Sequence, residues 1–128
     1  MGTTSRGVTP RTDPIYAHVV GWGMAVPDKV LTNDDLAAIV ETSDEWIRQR
    51  TGICQRRVVT PGVYTSDMAT AAGRDAIADA GVKPEDIDLV IVATLTPDNF
   101  TPATAARVAD NLGCVNAGAF DLSAACAG

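Results

Sequence analysis

The chain has 128 residues, 46 % of them hydrophobic and 20 % charged, which is long and apolar enough to bury a core and excludes the disordered class. A formal net charge of −6 argues against general nucleic-acid binding and suits a soluble cytoplasmic protein. Three cysteines, Cys54, Cys114 and Cys126, form no C-x-x-C pair, so neither a disulfide framework nor a metal site is expected, and no apolar run approaches the ~20 residues of a membrane span.

Residues 1–14 are polar, hold Arg6, Pro10, Arg11 and Pro14, and read as a loose tail ahead of a single unit over 15–128. Arg6 stands where a myristoylation signal needs Ser or Thr, so no lipid anchor is indicated. Ile15–Trp22 is a near-continuous apolar run and predicts a first strand buried on both faces, carrying His18 as a satisfied strand histidine. Thr32-Asn-Asp-Asp35 opens a helix whose apolar face is Leu36, Ile39 and Val40. Thr42-Ser-Asp-Glu45 has the S/T-x-x-E capping form and starts a second helix through Trp46 and Arg50 to Gly52. Arg56–Thr60 predicts an exposed or edge strand.

Ser66 is the expected cap of a helix with Met68, Ala72, Ala76 and Ala80 at spacing four, ending at Gly81. Such an alanine stripe permits close backbone approach, so this helix is expected at the centre of the fold. Asp88–Leu95 predicts a buried strand. Thr101 and Pro102 then start a helix with a stripe of Ala105, Val108, Ala109 and Leu112 before Gly113, and Ala117–Leu122 predicts the last strand. Strands alternating with helices imply a layered α/β fold with a mostly parallel mixed sheet, helices on both faces, and chemistry at the carboxyl ends of the strands.

Cys126 falls at that end, inside Asp121-Leu-Ser-Ala-Ala-Cys-Ala-Gly128. Small neighbours let the backbone turn sharply and let a substrate approach the sulfur, as a nucleophile between strand and helix requires. By the same reasoning Cys54 and Cys114 are structural, and Asp121 and Ser123 serve local backbone hydrogen bonding. Trp46 and Arg50, one turn apart on one helix face, pair an indole with a guanidinium in a way that can sandwich a flat ring. Arg48, Arg50, Arg56 and Arg57 read as a basic patch on an acidic chain.

Four stretches in order, Thr42-Ser-Asp-Glu-Trp-Ile47, Arg50-Thr-Gly-Ile53, Asp88-Leu-Val-Ile-Val-Ala-Thr94 and Phe120-Asp-Leu-Ser-Ala-Ala-Cys-Ala-Gly128, resemble the N-terminal part of β-ketoacyl-acyl-carrier-protein synthase III, a condensing enzyme of the thiolase fold. The resemblance implies an acyltransferase that takes an acyl-CoA primer onto Cys126 and condenses it with malonyl-acyl-carrier protein to begin fatty-acid synthesis. It implies CoA contacts from Thr42, Trp46 and Arg50 and a homodimer. Aligned without gaps, Thr101 falls where family members carry a residue that reaches across the dimer into the acyl pocket. The family's His and Asn, which assist decarboxylation, have no counterpart here, since His18 is the only histidine. On this reading acyl-CoA is a substrate and no cofactor is needed. A polyketide-priming or hydroxymethylglutaryl-CoA-synthase-like enzyme, and a non-catalytic CoA-binding or dimerising piece, are the alternatives. The thiolase fold also implies that the alanine-striped helix packs against a matching layer from the other half of such an enzyme.

Overall fold

Helix starts are fixed by acceptors that satisfy the free N–H groups of the first turn. A computed structural model, which describes residues 16–127, shows where those acceptors come from. The expected tail 1–14, Ile15 of the expected first strand, and Gly128 lie outside the described residues. In chain order the elements are β1 Val30–Thr32, α1 Asn33–Ala37, α2 Asp44–Thr51, β2 Gln55–Arg57, α3 Thr65–Ala80, a 3₁₀ turn Pro84–Asp86, β3 Leu89–Ala93, α4 Thr104–Leu112, β4 Gly118–Leu122 and a 3₁₀ turn Ala125–Ala127. No helix among the described residues is long and apolar enough to cross a membrane.

Thr32 caps α1 as expected. It accepts from the Asp35 N–H at 3.1 Å while its own N–H donates to the Asp35 carboxylate at 2.8 Å. Gly52, Gly81 and Gly113 close α2, α3 and α4 in the left-handed conformation, also as expected. Three other expected caps move. Ser43, not Thr42, caps α2, because Ser43 is the extended residue and its Oγ accepts from the Trp46 N–H at 3.1 Å. Ser66 lies inside α3, which begins after Tyr64, and its N–H donates to Asp98 Oδ1 at 3.0 Å. Thr101 does not cap α4: the first N–H groups of that helix, of Thr104 and Ala105, donate to the two carboxylate oxygens of Asp121 at 2.8 and 2.7 Å. In the last two cases a distant carboxylate replaces the local hydroxyl, and a charged acceptor makes the stronger bond to a helix N-terminus.

The sheet region also departs from expectation at its start. No ladder forms over 16–27, and His18 is exposed rather than held in a strand. Residues 21–27 do alternate, however, with Gly21, Gly23, Ala25 and Pro27 turned inward and Trp22, Met24 and Val26 outward. The inner side lies on α3. A Cβ at Gly21 would sit 2.5 Å from the Ala76 carbonyl oxygen and 2.7 Å from the Ala80 Cβ, and one at Gly23 would collide with the Ala72 carbonyl. The Trp22 N–H donates to Asp79 Oδ2 at 3.1 Å and fixes the crossing. Within the described residues, the alanine stripe is approached by this extended segment. Glycines opposite alanines are what let two backbones come this close.

The other side of α3 packs on α4, where Gly73 faces Leu112 and Asn111 Nδ2 donates to Thr70 Oγ1 at 3.3 Å. The core is Val92, Ala105 and Val108, with Ala69, Val90, Leu112 and Ala119 against it. Strands β3 and β4 run parallel, in register from Leu89 with Gly118 to Ala93 with Leu122. Their Val90, Val92 and Ala119 face contacts α4, while Leu89, Ile91 and Phe120 on the other face stay about half exposed. Among the described residues, helices thus cover one face of this pair. A second, antiparallel pair joins β1 to β2, Val30 opposite Arg57 and Thr32 opposite Gln55. Three-residue strands are too short to show a period, so the sequence revealed β2 only roughly and β1 not at all.

Substituting Gly23→Ala should lower stability by about 1–3 kcal/mol, because the clash is with backbone that cannot rotate away. Gly73→Ala, whose Cβ meets only the tip of Leu112, should cost far less. Paired thermal melts of the two variants check this. Equal losses would refute the close-approach account.

Candidate functional site

Two chemistry-bearing regions stand out, each built on a rigid support. The first follows the carboxyl end of β4. Asp121 bonds the N-terminus of α4 from the strand's penultimate position, tying the strand end to the helix 16 and 17 residues away. Asp121 is thus a long-range clamp and not a local partner as expected. Beyond Leu122 the chain turns through Ser123 and Ala124 into the 3₁₀ turn, closed by the Ala127 N–H donating to the Ala124 carbonyl at 3.0 Å. Ala125 takes φ +48°, a left-handed value that only glycine adopts without cost. A strained residue directly before the thiol sharpens the bend and turns Cys126 outward, and its side chain is exposed. The expected nucleophile therefore lies open to solvent within the 3₁₀ turn that follows β4.

The adjoining loop, between β3 and α4, leaves the same carboxyl edge of the parallel pair. Its base is braced. Thr65 Oγ1 donates to the Thr96 carbonyl at 2.6 Å, and the Asp98 N–H donates to Thr104 Oγ1 at 3.0 Å. The Asp98 side chain, 3 % exposed, accepts from Ser66 N–H at N-terminal α3 and pairs with Arg107 at 3.2 Å. Burial alone would push the Asp98 carboxyl up, but the Ser66 hydrogen bonds and the Arg107 charge prevail and hold it below the usual value. The tip of the loop carries Phe100, fully exposed, and Thr101, also exposed. Thr101 and Cys126 thus follow adjacent strands at one edge of the sheet.

The second region is α2. Ile47 is its buried residue, which leaves Trp46 and Arg50 on the outer face. The Arg50 guanidinium lies 4.9 Å from the centre of the Trp46 ring, and Trp46 is 53 % exposed. Beside the indole, Glu41, Thr42 and Ser43 line a shallow depression. Thr42 Oγ1 is buried there and has no hydrogen-bond partner among the described residues.

The four arginines of the expected basic patch have different local partners. Arg48 pairs with Asp44 at 2.9 Å. Arg56 donates to Asn33 Oδ1 at 2.8 Å and to the Leu31 carbonyl, and Arg57 donates to the carbonyls of Pro27 and Asp28. Arg50 alone of the four stacks on a ring instead. The reason is that β1 and the residues before it offer carbonyls that sequence reading had left unplaced. Cys114 is buried, and burial pushes its thiol up, with Glu85 adding to the rise, which suits a structural role. Cys54 is exposed and lies near the Gly52 carbonyl, at 3.7 Å.

Comparison with known proteins gives one consistent answer, although no family model matches the chain. The β-ketoacyl-[acyl-carrier-protein] synthase III of Roseiflexus sp. is 58 % identical over 113 residues, 88 % of this chain and 34 % of that protein. The crystal structure of 3-oxoacyl-[acyl-carrier-protein] synthase III from Aquifex aeolicus matches with a TM-score of 0.80 at 48 % identity, over 85 % of this chain and 35 % of that one. Over this length the chain is a β-ketoacyl-[acyl-carrier-protein] synthase III relative. Its fold is the thiolase-like α/β fold. The priming β-ketosynthase of the R1128 polyketide pathway also matches, with a TM-score of 0.82 at 44 % identity, over 86 % of this chain and 33 % of that one. The chain spans about a third of the length of the synthase III relatives it matches.

Of the residues singled out from sequence, Thr42, Trp46 and Arg50 come together on α2 and its approach, while Thr101 and Cys126 lie in the separate segments that follow the parallel strands β3 and β4. The depression beside Trp46 does not include Cys126. Sequence reasoning missed three buried or half-buried polar residues in this synthase III relative: Asn33, Asp98 and, as a clamp, Asp121. Asn33 and Asp98 sit in turn-like polar runs with no period, so nothing local distinguishes them from solvated loop residues.

Asp98→Asn should lower stability by about 1–2 kcal/mol, since it weakens an acceptor of a helix N–H and removes an ion pair. The sign with pH follows from the lowered carboxyl. The contribution is fully present above the unfolded value near 3.8 and is lost as pH falls through the lower folded value. The gap in melting temperature between parent and variant should therefore hold from neutral pH to about pH 4 and close in stronger acid. A gap that closes near neutrality would contradict this assignment.

Proposed function

We propose that this chain carries the nucleophile and part of the CoA-binding surface of an acyltransferase that starts fatty-acid synthesis. In this reading the Cys126 thiolate attacks the carbonyl carbon of an acyl-CoA thioester, and the CoA thiolate leaves. Malonyl-acyl-carrier protein then loses carbon dioxide. The resulting enolate attacks the acyl-cysteine carbonyl, which forms the β-ketoacyl product and frees Cys126. The observation that carries the reading is Cys126 exposed directly after a residue at φ +48°, at the carboxyl end of a parallel strand. The close relatives named as synthase III support the condensing role.

On this reading the adenine ring of CoA is taken up by Trp46 and Arg50, which must part from their 4.9 Å stack to admit it, and Thr42 lies beside them. The chain corresponds to the N-terminal part of the synthase, works as a homodimer in the cytoplasm, and uses acyl-CoA and malonyl-acyl-carrier protein as its substrates. Thr101 belongs to the acyl pocket, where its small side chain leaves room for primers longer or more branched than acetyl. A second reading, a polyketide-priming synthase, is favoured by one observation: the match to the R1128 priming enzyme is as good in shape as that to the Aquifex enzyme. Both readings use the same covalent step on Cys126.

Incubation with acetyl-CoA should add one acetyl group, seen by intact-mass measurement, and Cys126→Ser should abolish it while Cys54→Ser does not. A folded protein that gains no acetyl group, or keeps the adduct in Cys126→Ser, rules the proposal out. With a series of acetyl-, isobutyryl- and octanoyl-CoA, Thr101→Phe should narrow acylation toward acetyl. Strict acetyl preference in the parent would remove Thr101 from the acyl pocket.

A further inference from the structure

The most completely bonded buried polar side chain among the described residues belongs to neither Cys126 nor the Trp46 face. Asn33, 1 % exposed, is the first residue of α1. Its Nδ2 donates to Asp44 Oδ1 at 2.7 Å and to the Ile53 carbonyl at 2.8 Å, and its Oδ1 accepts from Arg56 Nη2 at 2.8 Å. These partners have a common geometry. Asp44 is the first residue of α2, and Ile53 follows Gly52, the left-handed residue that ends α2. One amide nitrogen therefore grips both ends of the helix that carries Trp46 and Arg50. Arg56 closes the grip from β2 and also holds the Leu31 carbonyl of β1.

A surface helix of eight residues cannot hold its own position by propensity alone, because an isolated helix of that length is unstable in water. Here Ile47 is its only fully buried residue. Apolar burial of one isoleucine leaves the helix free to rock about that contact, and a stacked ring pair on the outer face tolerates little rocking. Asp44 adds to the restraint. It bonds Arg48 one turn on, and the Asn33 bond first, then Arg48, holds its carboxyl below the usual value.

We propose that Asn33, held by Arg56, is a positioning residue for nucleotide binding: it fixes α2 so that Trp46 and Arg50 stand ready for the adenine end of CoA. The inference rests on the CoA reading given above and adds the device that preorganises it. Asn33 acts through α2, since its own side chain is spent on Asp44, Ile53 and Arg56 and faces no ligand. Preorganisation of this kind lowers the ordering cost at binding.

The test measures binding of CoA and of adenosine 3′,5′-bisphosphate to the full chain through Trp46 fluorescence, in a Trp22→Phe background that leaves Trp46 as the only tryptophan. Asn33→Ala should weaken both ligands roughly ten- to a hundredfold, the order expected of an ångström-scale loss of placement. Acetylation of Cys126 by acetylpantetheine, which lacks the nucleotide, should proceed at the parental rate, a result that general loosening of the fold would not give. If Asn33→Ala does not fold, Arg56→Gln is measured in its place; it frees the Asn33 amide without touching α2 and should shift both nucleotide affinities the same way. Unchanged nucleotide affinity in a folded variant overturns the inference, as does an equal loss of acetylation by acetylpantetheine. Trp46→Ala, read by calorimetry, separates the two levels of argument. If it too leaves CoA binding unchanged, the CoA reading fails and takes this inference with it. If Trp46→Ala weakens binding and the Asn33 variant does not, this inference alone fails.

Discussion

A carboxylate at the end of a strand, bonded to the two leading N–H groups of a helix, fixes the working edge of this protein. Asp121 reaches from β4 to Thr104 and Ala105 at 2.8 and 2.7 Å. Those groups have no cap of their own, because Ala103 precedes the helix and has no side-chain acceptor. The bond answers a charge with the positive end of a helix in a half-buried setting, where such bonds are worth most. It also joins the strand that delivers Cys126 to the helix that supplies the core residues Ala105 and Val108. The turn bearing the thiol therefore starts from a point that is anchored in the core.

Asp98 repeats the device one strand away. It comes from the loop after β3 and bonds the N-terminal turn of α3, while Arg107 of α4 neutralises it. The two carboxylates lock α3, α4 and the parallel pair into one unit from the same edge. Charges withdrawn from water are costly unless bonded, and both the buried Asp98 and the half-buried Asp121 are bonded to helix N–H groups. What this leaves free is a short tip with Phe100 and Thr101 and the bend at Ala125, the parts of the edge from which chemistry can be offered.

The α2 region follows a different logic. Little apolar surface anchors it, so polar groups do the holding. Asn33, Asp44, Arg48 and Arg56 form a connected set in which every charge has an opposite charge or an amide beside it. Three of the four nearby arginines are consumed by structure. Among the described residues, the exposed indole with Arg50 over it and the Thr42 hydroxyl take no part in that set. On the far side of the sheet, Leu89, Ile91 and Phe120 form an apolar strip open to solvent. A strip of this kind favours association with whatever apolar surface meets it.

Local signals in the sequence determined most of the helices and the two long strands, although α1 stops at Ala37 and leaves Ile39 and Val40 of its expected apolar face outside the helix and exposed. Gly52, Gly81 and Gly113 end their helices because a left-handed cap is a property of one residue and its immediate neighbours. Runs such as Leu89–Ala93 declare a strand through their own composition, although among the described residues only the Val90 and Val92 face is covered, and Leu89 and Ile91 stay half exposed. The residue types of the site, a thiol among small neighbours and an indole with an arginine one turn on, were legible for the same reason. Tertiary structure alone decided what crosses between elements. It left residues 16–22 of the expected first strand without a ladder and laid Gly21, Trp22 and Gly23 on α3, moved the caps of α3 and α4 to Asp98 and Asp121, and drew Asn33 out of a polar run to hold both ends of α2. Each of these depends on which acceptor or which bare backbone lies nearby in space after folding, and sequence separation carries no record of that distance.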